Sequence, residues 1–332
     1  VDRYAFQNQE LIQTTVAEKG TDANRISSAK ALAAHFLYTL KIENLTLTPG
    51  LRYENITLTR TDYGTSDPNR TGQDLAIREN KVDVWIPGIG ANYRFNNYIS
   101  VFGGVHKGFS PPSNTPGQNA EESINYELGS RFGFKGLSGE LVGFYNDYQN
   151  LLGSDLAATG GTGSLDQFNA GEVRVSGLEL LLNYNLLYNT SEKFKLPLSI
   201  SYTLTDTEFL TSFDSNEDIY GVVTKGDEIP YIAKNQLNAT LGLQHKKFEV
   251  NLNSRYTGAF RTKAGSGPIP ENFKVDSNFI VDLSAHYFLN ENFTLSTNVI
   301  NLFDTEYAVS RVPAGLRPGH PFGFNFAVGY EF

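Results

Sequence analysis

The chain has 332 residues, a formal net charge of −9, and neither cysteine nor methionine. The acidity argues against nucleic acid as a partner, because phosphate binding needs a basic surface, and the lack of cysteine excludes thiolate metal sites and thiol nucleophiles. Mean hydropathy is −0.31, and the most apolar run, Leu178–Leu187, is broken by Glu179, Asn183 and Asn185, far short of the ~18–20 apolar residues of a membrane helix.

In chain order the sequence predicts about thirteen strands. They fall at roughly 27–42, 44–61, 79–95, 98–110, 121–134, 137–150, 166–187, 196–208, 231–245, 247–261, 278–289, 292–308 and 321–332. The first 25 residues hold a loop and part of one more strand. The opening "VDRYAFQNQE" has no start residue and no signal peptide, so it is read as the start of a processed or truncated product.

Period-2 alternation carries these assignments. In 196–208, Leu196, Leu198, Ile200, Tyr202 and Leu204 oppose Ser199, Ser201 and Thr203. In 231–245, Leu237, Ala239, Leu241 and Leu243 oppose Gln236, Asn238, Thr240 and Gln244. Phe248, Val250, Leu252, Tyr256 and Phe260 lie opposite Lys247, Glu249, Asn251, Asn253, Arg255 and Arg261. Phe279, Val281, Leu283, Ala285, Tyr287 and Leu289 lie opposite Asp282, Ser284 and His286. The closing "PFGFNFAVGYEF" places Phe322, Phe324, Phe326, Val328, Tyr330 and Phe332 on one face, with Asn325 and Glu331 on the other. Such a face fits a soluble core or lipid equally well.

The connections separate the two. Asn96-Asn97, Lys135-Gly136, Lys246-Lys247 and Asn290–Asn292 are short, whereas 62–78, 111–120, 151–165, 209–230, 262–277 and 309–320 are long and rich in Gly, Pro, Asp and Ser. Short turns at one end and long loops at the other are the pattern of an outer-membrane barrel. The polar face agrees: Glu249, Arg255 and Asp282 recur mid-strand, which a wide wet lumen tolerates and a filled soluble barrel does not. The predicted fold is therefore an all-β, antiparallel transmembrane β-barrel. Its short turns are periplasmic and its long loops extracellular.

No catalytic constellation is visible, and no cofactor or metal is expected. His35, His106, His245, His286 and His320 show no i,i+4 pairing and no metalloprotease motif. "GGTG" at Gly160–Gly163 lacks the Lys-Ser/Thr of a phosphate loop and reads as a flexible loop. The six Asn-x-Ser/Thr sequons, such as those at Asn44 and Asn238, carry no meaning in a bacterial chain, and Glu179 reads as lumen-facing.

Five segments carry a family resemblance. "NVINLFDTEY" (Asn298–Tyr307), "FNAGEVRVSGLELLLNY" (Phe168–Tyr184), "VFGGVHKGFSPPS" (Val101–Ser113) with "EESINYELGSRF" (Glu121–Phe132), and "LTLTPGLRYE" (Leu45–Glu54) resemble strands of TonB-dependent outer-membrane receptors, in family order. The last 22 residues resemble the ferric dicitrate receptor branch. Family members have a plug of roughly 150 residues and a 22-strand barrel. This sequence shows no plug or energy-coupling box, so it matches the C-terminal part of the barrel, with a genuine 14-strand barrel as the alternative.

The resemblance implies active uptake of a scarce nutrient, foremost a ferric chelate of siderophore or ferric citrate type. The implied partners are the outer-membrane lipid bilayer, the chelate, a TonB complex reached through a missing N-terminal region, and the outer-membrane assembly machinery reading Phe332. A passive porin-like channel and a soluble β-rich binding or adhesion module are the alternatives. Candidate ligand contacts are Arg25, Arg70, Arg311, Arg317 and His320, loop cations able to hold an anionic chelate by charge-assisted hydrogen bonds. Each is otherwise a solvated loop charge. Arg311, Arg317 and His320 share one loop.

Overall fold

A computed structural model describes residues 3–7, 10–16, 24–73, 75–154, 167–312 and 315–332. Thirteen long strands form one sheet. The first six are β1 (Arg25–Leu37), β2 (Leu45–Asp62), β3 (Ala76–Arg94), β4 (Ile99–Ser110), β5 (Glu121–Phe134) and β6 (Leu137–Gln149). Next come β7 (Val173–Asn185), β8 (Pro197–Phe209), β9 (Asn235–His245) and β10 (Phe248–Thr257). The last are β11 (Asn278–Phe288), β12 (Phe293–Ile300) and β13 (Gly323–Tyr330). Each pairs antiparallel with its sequence neighbours, and the outermost strands are β1 and β13. Arg3–Gln7 and Glu10–Thr15 pair antiparallel as a separate two-stranded sheet where a loop and part of a strand are expected.

Register fixes the faces. Val250↔Ala285, Leu252↔Leu283 and Tyr256↔Phe279 pair on one side, Glu249↔His286 and Asn253↔Asp282 on the other. The alternation read from sequence over β8–β11 and β13 is the alternation observed. On β3 the outward residues from Trp85 to Tyr93 are exposed, whereas the inward Asn80, Val82 and Val84 are buried. An aromatic stands at each end of this outward stretch, and the same holds for Tyr126 to Phe134, Phe248 to Tyr256 and Phe279 to Tyr287. Each stretch is nine residues long (85 through 93, for example), a length that spans a bilayer as a tilted strand of ~9–11 residues. The aromatics form two belts, the interfacial positions such rings favour. Tyr53 and Trp85, with ring centroids 4.7 Å apart, belong to the long-loop belt, and Phe293 and Tyr330, 4.6 Å apart, to the short-turn belt. Just past the upper belt the outward side chains become ionic. The Tyr53 hydroxyl and the Asn55 amide both donate to Asp83, and Lys107 pairs with Glu122. The sheet thus rises beyond the membrane at its long-loop end.

Several predicted boundaries ran long, for local reasons. The strand placed at 292–308 ends at Ile300, because Asn301 turns into the left-handed region (φ 51). The strand at 166–187 begins at Val173; Gln167–Asn169 pairs separately with Leu152–Ser154, and Gly171 (φ 79) breaks the ladder. Those at 231–245 and 247–261 shrink to β9 and β10, and 27–42 divides into β1 and the short Leu40–Ile42. The "GGTG" segment and most of the loop assigned to 151–165 lie outside the described residues. Among the described residues the only helical piece is the 3-10 turn Glu271–Phe273, and no helix is long and apolar enough to cross a membrane.

Over β6–β11 the long loops pack on one another. Val173, Phe209 and Val223 are fully buried, with Tyr148, Leu151, Phe213, Tyr220, Ile229 and Ala264 against them. Burial among these rings, with Glu217 and Glu121 nearby, pushes the Tyr220 phenol up. Backbone bonds stitch the loops together: Glu228 to Gly265, Ala264 to Ile219 and Tyr231 to Arg261.

Candidate functional site

All five candidate cations lie at the long-loop end, but the fold divides them. Arg25 begins β1 opposite Asp62. Arg70 sits in the adjoining loop 63–75, where its Nε donates to Asn24 Oδ1 (2.8 Å) and its guanidinium lies 5.5 Å from the Tyr63 ring centroid. Asn24 in turn donates to the Gly64 and Asp67 carbonyls (3.1 and 2.6 Å). The Asp67 carboxylate accepts from the N–H groups of Thr71, Gly72 and Gln73 and from the Thr71 hydroxyl. These backbone donors, Thr71 first, hold its carboxyl below the usual range. Arg70 therefore ties its loop to Asn24, the residue just before β1.

Arg311, Arg317 and His320 lie in the loop 301–322, near the opposite edge of the sheet order. Arg311 and His320 line a cavity of about 700 Å³ with Lys274, Asp276, Asp304 and Tyr307; Arg317 is not on its wall. Lys274 is engaged by Asp276 (2.8 Å) and Glu271 (3.3 Å), and these carboxylates, Asp276 first, raise its pKa. Its charge is locally neutralised. Arg311 differs: its Nε is buried and finds no hydrogen-bond partner, a donor that ordinarily requires one.

The walls of this cavity come from the Asn-Leu-Phe-Asp-x-x-Tyr segment. Asn301 is fully buried. Its amide donates to the Thr305 and His320 carbonyls, and its Oδ1 accepts the Thr305 N–H. Its own N–H reaches Asp282 at 2.7 Å. Asp304 accepts from the Phe322 N–H, and the Tyr307 hydroxyl from the His320 N–H. A Cβ at Gly319 would stand 2.0 Å from the Tyr307 ring, so only glycine lets the returning strand pass. The segment staples both ends of the loop to β11–β13, holding His320 and Arg311 at one rim.

A second recess of about 660 Å³ lies against β2–β4. Its inward floor includes Gly50, Gly88, Gly90 and Gly104, leaving that wall without bulk. Glu179 pairs with Val142 and Thr203 on the inward face, as the sequence suggested. Sequence reasoning misses Tyr231, whose hydroxyl reaches the loop 301–322 from 79 and 81 residues away. Its left-handed backbone (φ 66) has no signature in residue type.

The family model described as "TonB dependent receptor-like, beta-barrel" matches residues 2–302. The Ferric enterobactin receptor PirA of Pseudomonas aeruginosa is 25% identical over 296 residues, covering 78% of this chain and 34% of the receptor. The siderophore receptor PiuA from Acinetobacter baumannii superposes with a TM-score of 0.71 at 19% identity, over 92% of this chain and 44% of its own. The ferric citrate transporter FecA superposes with a TM-score of 0.70 at 18% identity, over 92% and 45%. The chain thus spans about one third to under half the length of the proteins it matches. With the match covering nearly all of it, the chain belongs to the TonB-dependent receptor β-barrel family, a family of outer-membrane proteins.

Proposed function

We propose that this chain is the C-terminal portion of the barrel of an active outer-membrane importer for a ferric chelate, energised by the TonB system. The family match and the ferric-chelate names of its relatives support the reading. The observation that carries it to particular residues is the rim cavity that Arg311 and His320 both line. A guanidinium there suits the carboxylate or catecholate oxygens of an anionic chelate. Arg25 and Arg70 belong to a separate rim position and contribute field rather than contact. Among the described residues β1 and β13 each have one edge without a ladder partner, which supports the partial-barrel reading. Lipid leaves unpaired N–H and C=O groups unsatisfied, so further strands of the receptor cover them, and a plug elsewhere in the receptor fills the lumen.

The test is growth under iron limitation. The full-length receptor is expressed in a strain stripped of its own ferric-chelate receptors, with ferric enterobactin or ferric citrate as sole iron source. Growth on at least one chelate, abolished when the TonB complex is deleted, is expected. Uptake that persists without that complex makes the protein a passive channel. Failure on every chelate assigns it another nutrient.

A further inference from the structure

Tyr231 adopts a backbone conformation (φ 66) that is costly for a bulky residue and persists only where neighbours enforce it. Its neighbours do so. The Tyr231 N–H donates to the Arg261 carbonyl at 2.8 Å. The Arg261 side chain is 4% exposed and donates to Glu228 at 2.6 Å and to the Gly267 carbonyl at 2.9 Å. The tyrosine ring leans on Phe260, centroids 6.0 Å apart. Held this way, the phenol projects into the loop 301–322. Its hydroxyl donates to the Val312 carbonyl, accepts the Val312 N–H at 3.1 Å and lies 3.2 Å from the Ser310 hydroxyl.

Ser310 and Val312 are the residues on either side of Arg311. The hairpin that carries them is very small: Ala308 pairs with Pro318 and Ser310 with Arg317, with a register shift between. Hairpins of this size do not hold themselves in water. Asn301 and Tyr307 fix the base of the loop, but the segment next to Arg311 takes its outside tie from Tyr231. We propose that Tyr231 is the positioning residue for Arg311: one phenol holds the Ser310 hydroxyl and the Val312 backbone, the two neighbours of Arg311, and so keeps Arg311 on the wall of the rim cavity. Such preorganisation removes the ordering cost that a ligand would otherwise meet on binding. The functional consequence rests on the ferric-chelate reading; the positioning itself does not.

The experiment uses Tyr231→Phe in the full-length receptor. This change keeps the ring against Phe260 and removes only the hydroxyl, and Ser310→Ala serves as a control for the weaker contact. Hydrogen–deuterium exchange at the Val312 amide is read first, without ligand. Loss of one net hydrogen bond predicts exchange about two- to tenfold faster there, with the barrel melting temperature unchanged. Equilibrium titration with ferric enterobactin and ferric citrate is read second, and Kd is expected to rise by a similar factor for whichever chelate the wild type binds. Unchanged Val312 exchange in Tyr231→Phe overturns the proposal. Faster exchange with unaltered Kd shows that Tyr231 positions the hairpin but that Arg311 does not meet the chelate. A wild type that binds neither chelate removes the ferric reading, and the Val312 exchange still decides the positioning role.

Discussion

On β10 and β11 the outward side chains Phe248, Val250, Leu252, Phe279, Val281 and Leu283 follow one instruction, to be apolar at every second position. The loops 258–277, between β10 and β11, and 301–322, between β12 and β13, follow another. There Thr262 is fully buried and donates to the Phe273 carbonyl, Arg261 is sealed against Glu228, and Asn301 carries three side-chain bonds. The wall is specified by a period and tolerates exchange of one apolar residue for another. The cap is specified by individual donors and acceptors, and each exchange there counts. The wall meets lipid, where only apolarity is asked; the cap lies beyond it, where each buried donor needs its own acceptor.

The sharpest way to break this contrast is a charge placed on each face of one strand. Phe326 is outward and exposed, whereas Asn325 pairs with Asn298 on the inward side. Phe326→Arg is expected to destabilise the folded barrel by roughly 2–4 kcal/mol, and Asn325→Arg by little. Unfolding titrations in reconstituted bilayers measure both, and equal losses would mean that the aromatic face does not meet lipid.

A smaller effect comes from crowding the wall itself. A Cβ at Gly177 would lie 1.9 Å from the Leu204 carbonyl oxygen of the neighbouring strand. Since that obstacle is backbone, Gly177→Ala must push β7 from β8, at about 1–3 kcal/mol. A melting temperature equal to wild type would show that the two strands sit further apart than described.

On the cap, the division of the candidate cations gives a graded outcome. Arg311 lines the cavity and Arg317 does not. Arg311→Ala should therefore weaken ferric-chelate binding about tenfold or more, the worth of one charge-assisted hydrogen bond, while Arg317→Ala changes Kd little. Equal effects in an equilibrium titration would move the contact out of the cavity.

The smallest effect is local and depends on pH. Asp67 is buried and its carboxyl is held low by the backbone donors of Thr71, Gly72 and Gln73. A folded-state pKa below the unfolded one stabilises the loop fully above the ordinary carboxylate range. That stabilisation is lost as pH falls through the lowered folded value. The Thr71 and Gly72 amides should therefore keep their protection down to about pH 4 and lose it below, with the strands unaffected. Protection independent of pH would remove Asp67 from the role of loop clasp.

The same contrast explains what the sequence disclosed. The faces of β8–β11 and β13 were legible because lipid and lumen impose a period of two, visible in residue type alone. The sorting of short turns and long loops was legible because it depends on length. The end of β12 was not: Val299, Ile300, Leu302 and Phe303 read as a continuing strand, and Asn301 stops it by a backbone angle. The five cations could be assigned to the loop end, but only tertiary pairing shows that Asn24 occupies Arg70 while Arg311 faces a cavity. Tyr231 was hidden for the same reason, since its partners lie some eighty residues away.

These 332 residues contain no cysteine, so one measurement is clean once any cysteine elsewhere in the receptor is replaced by serine. Single cysteines carrying nitroxide labels are placed at each residue from 236 to 243 of β9 in the full-length receptor in bilayers, and collision with oxygen and with a water-soluble nickel chelate is read at each. Labels at 237, 239, 241 and 243 should collide with oxygen and be shielded from nickel; those at 236, 238, 240 and 242 should show the reverse. Accessibility that fails to alternate, or alternates in the opposite phase, would contradict the lipid-facing wall on which the whole account stands.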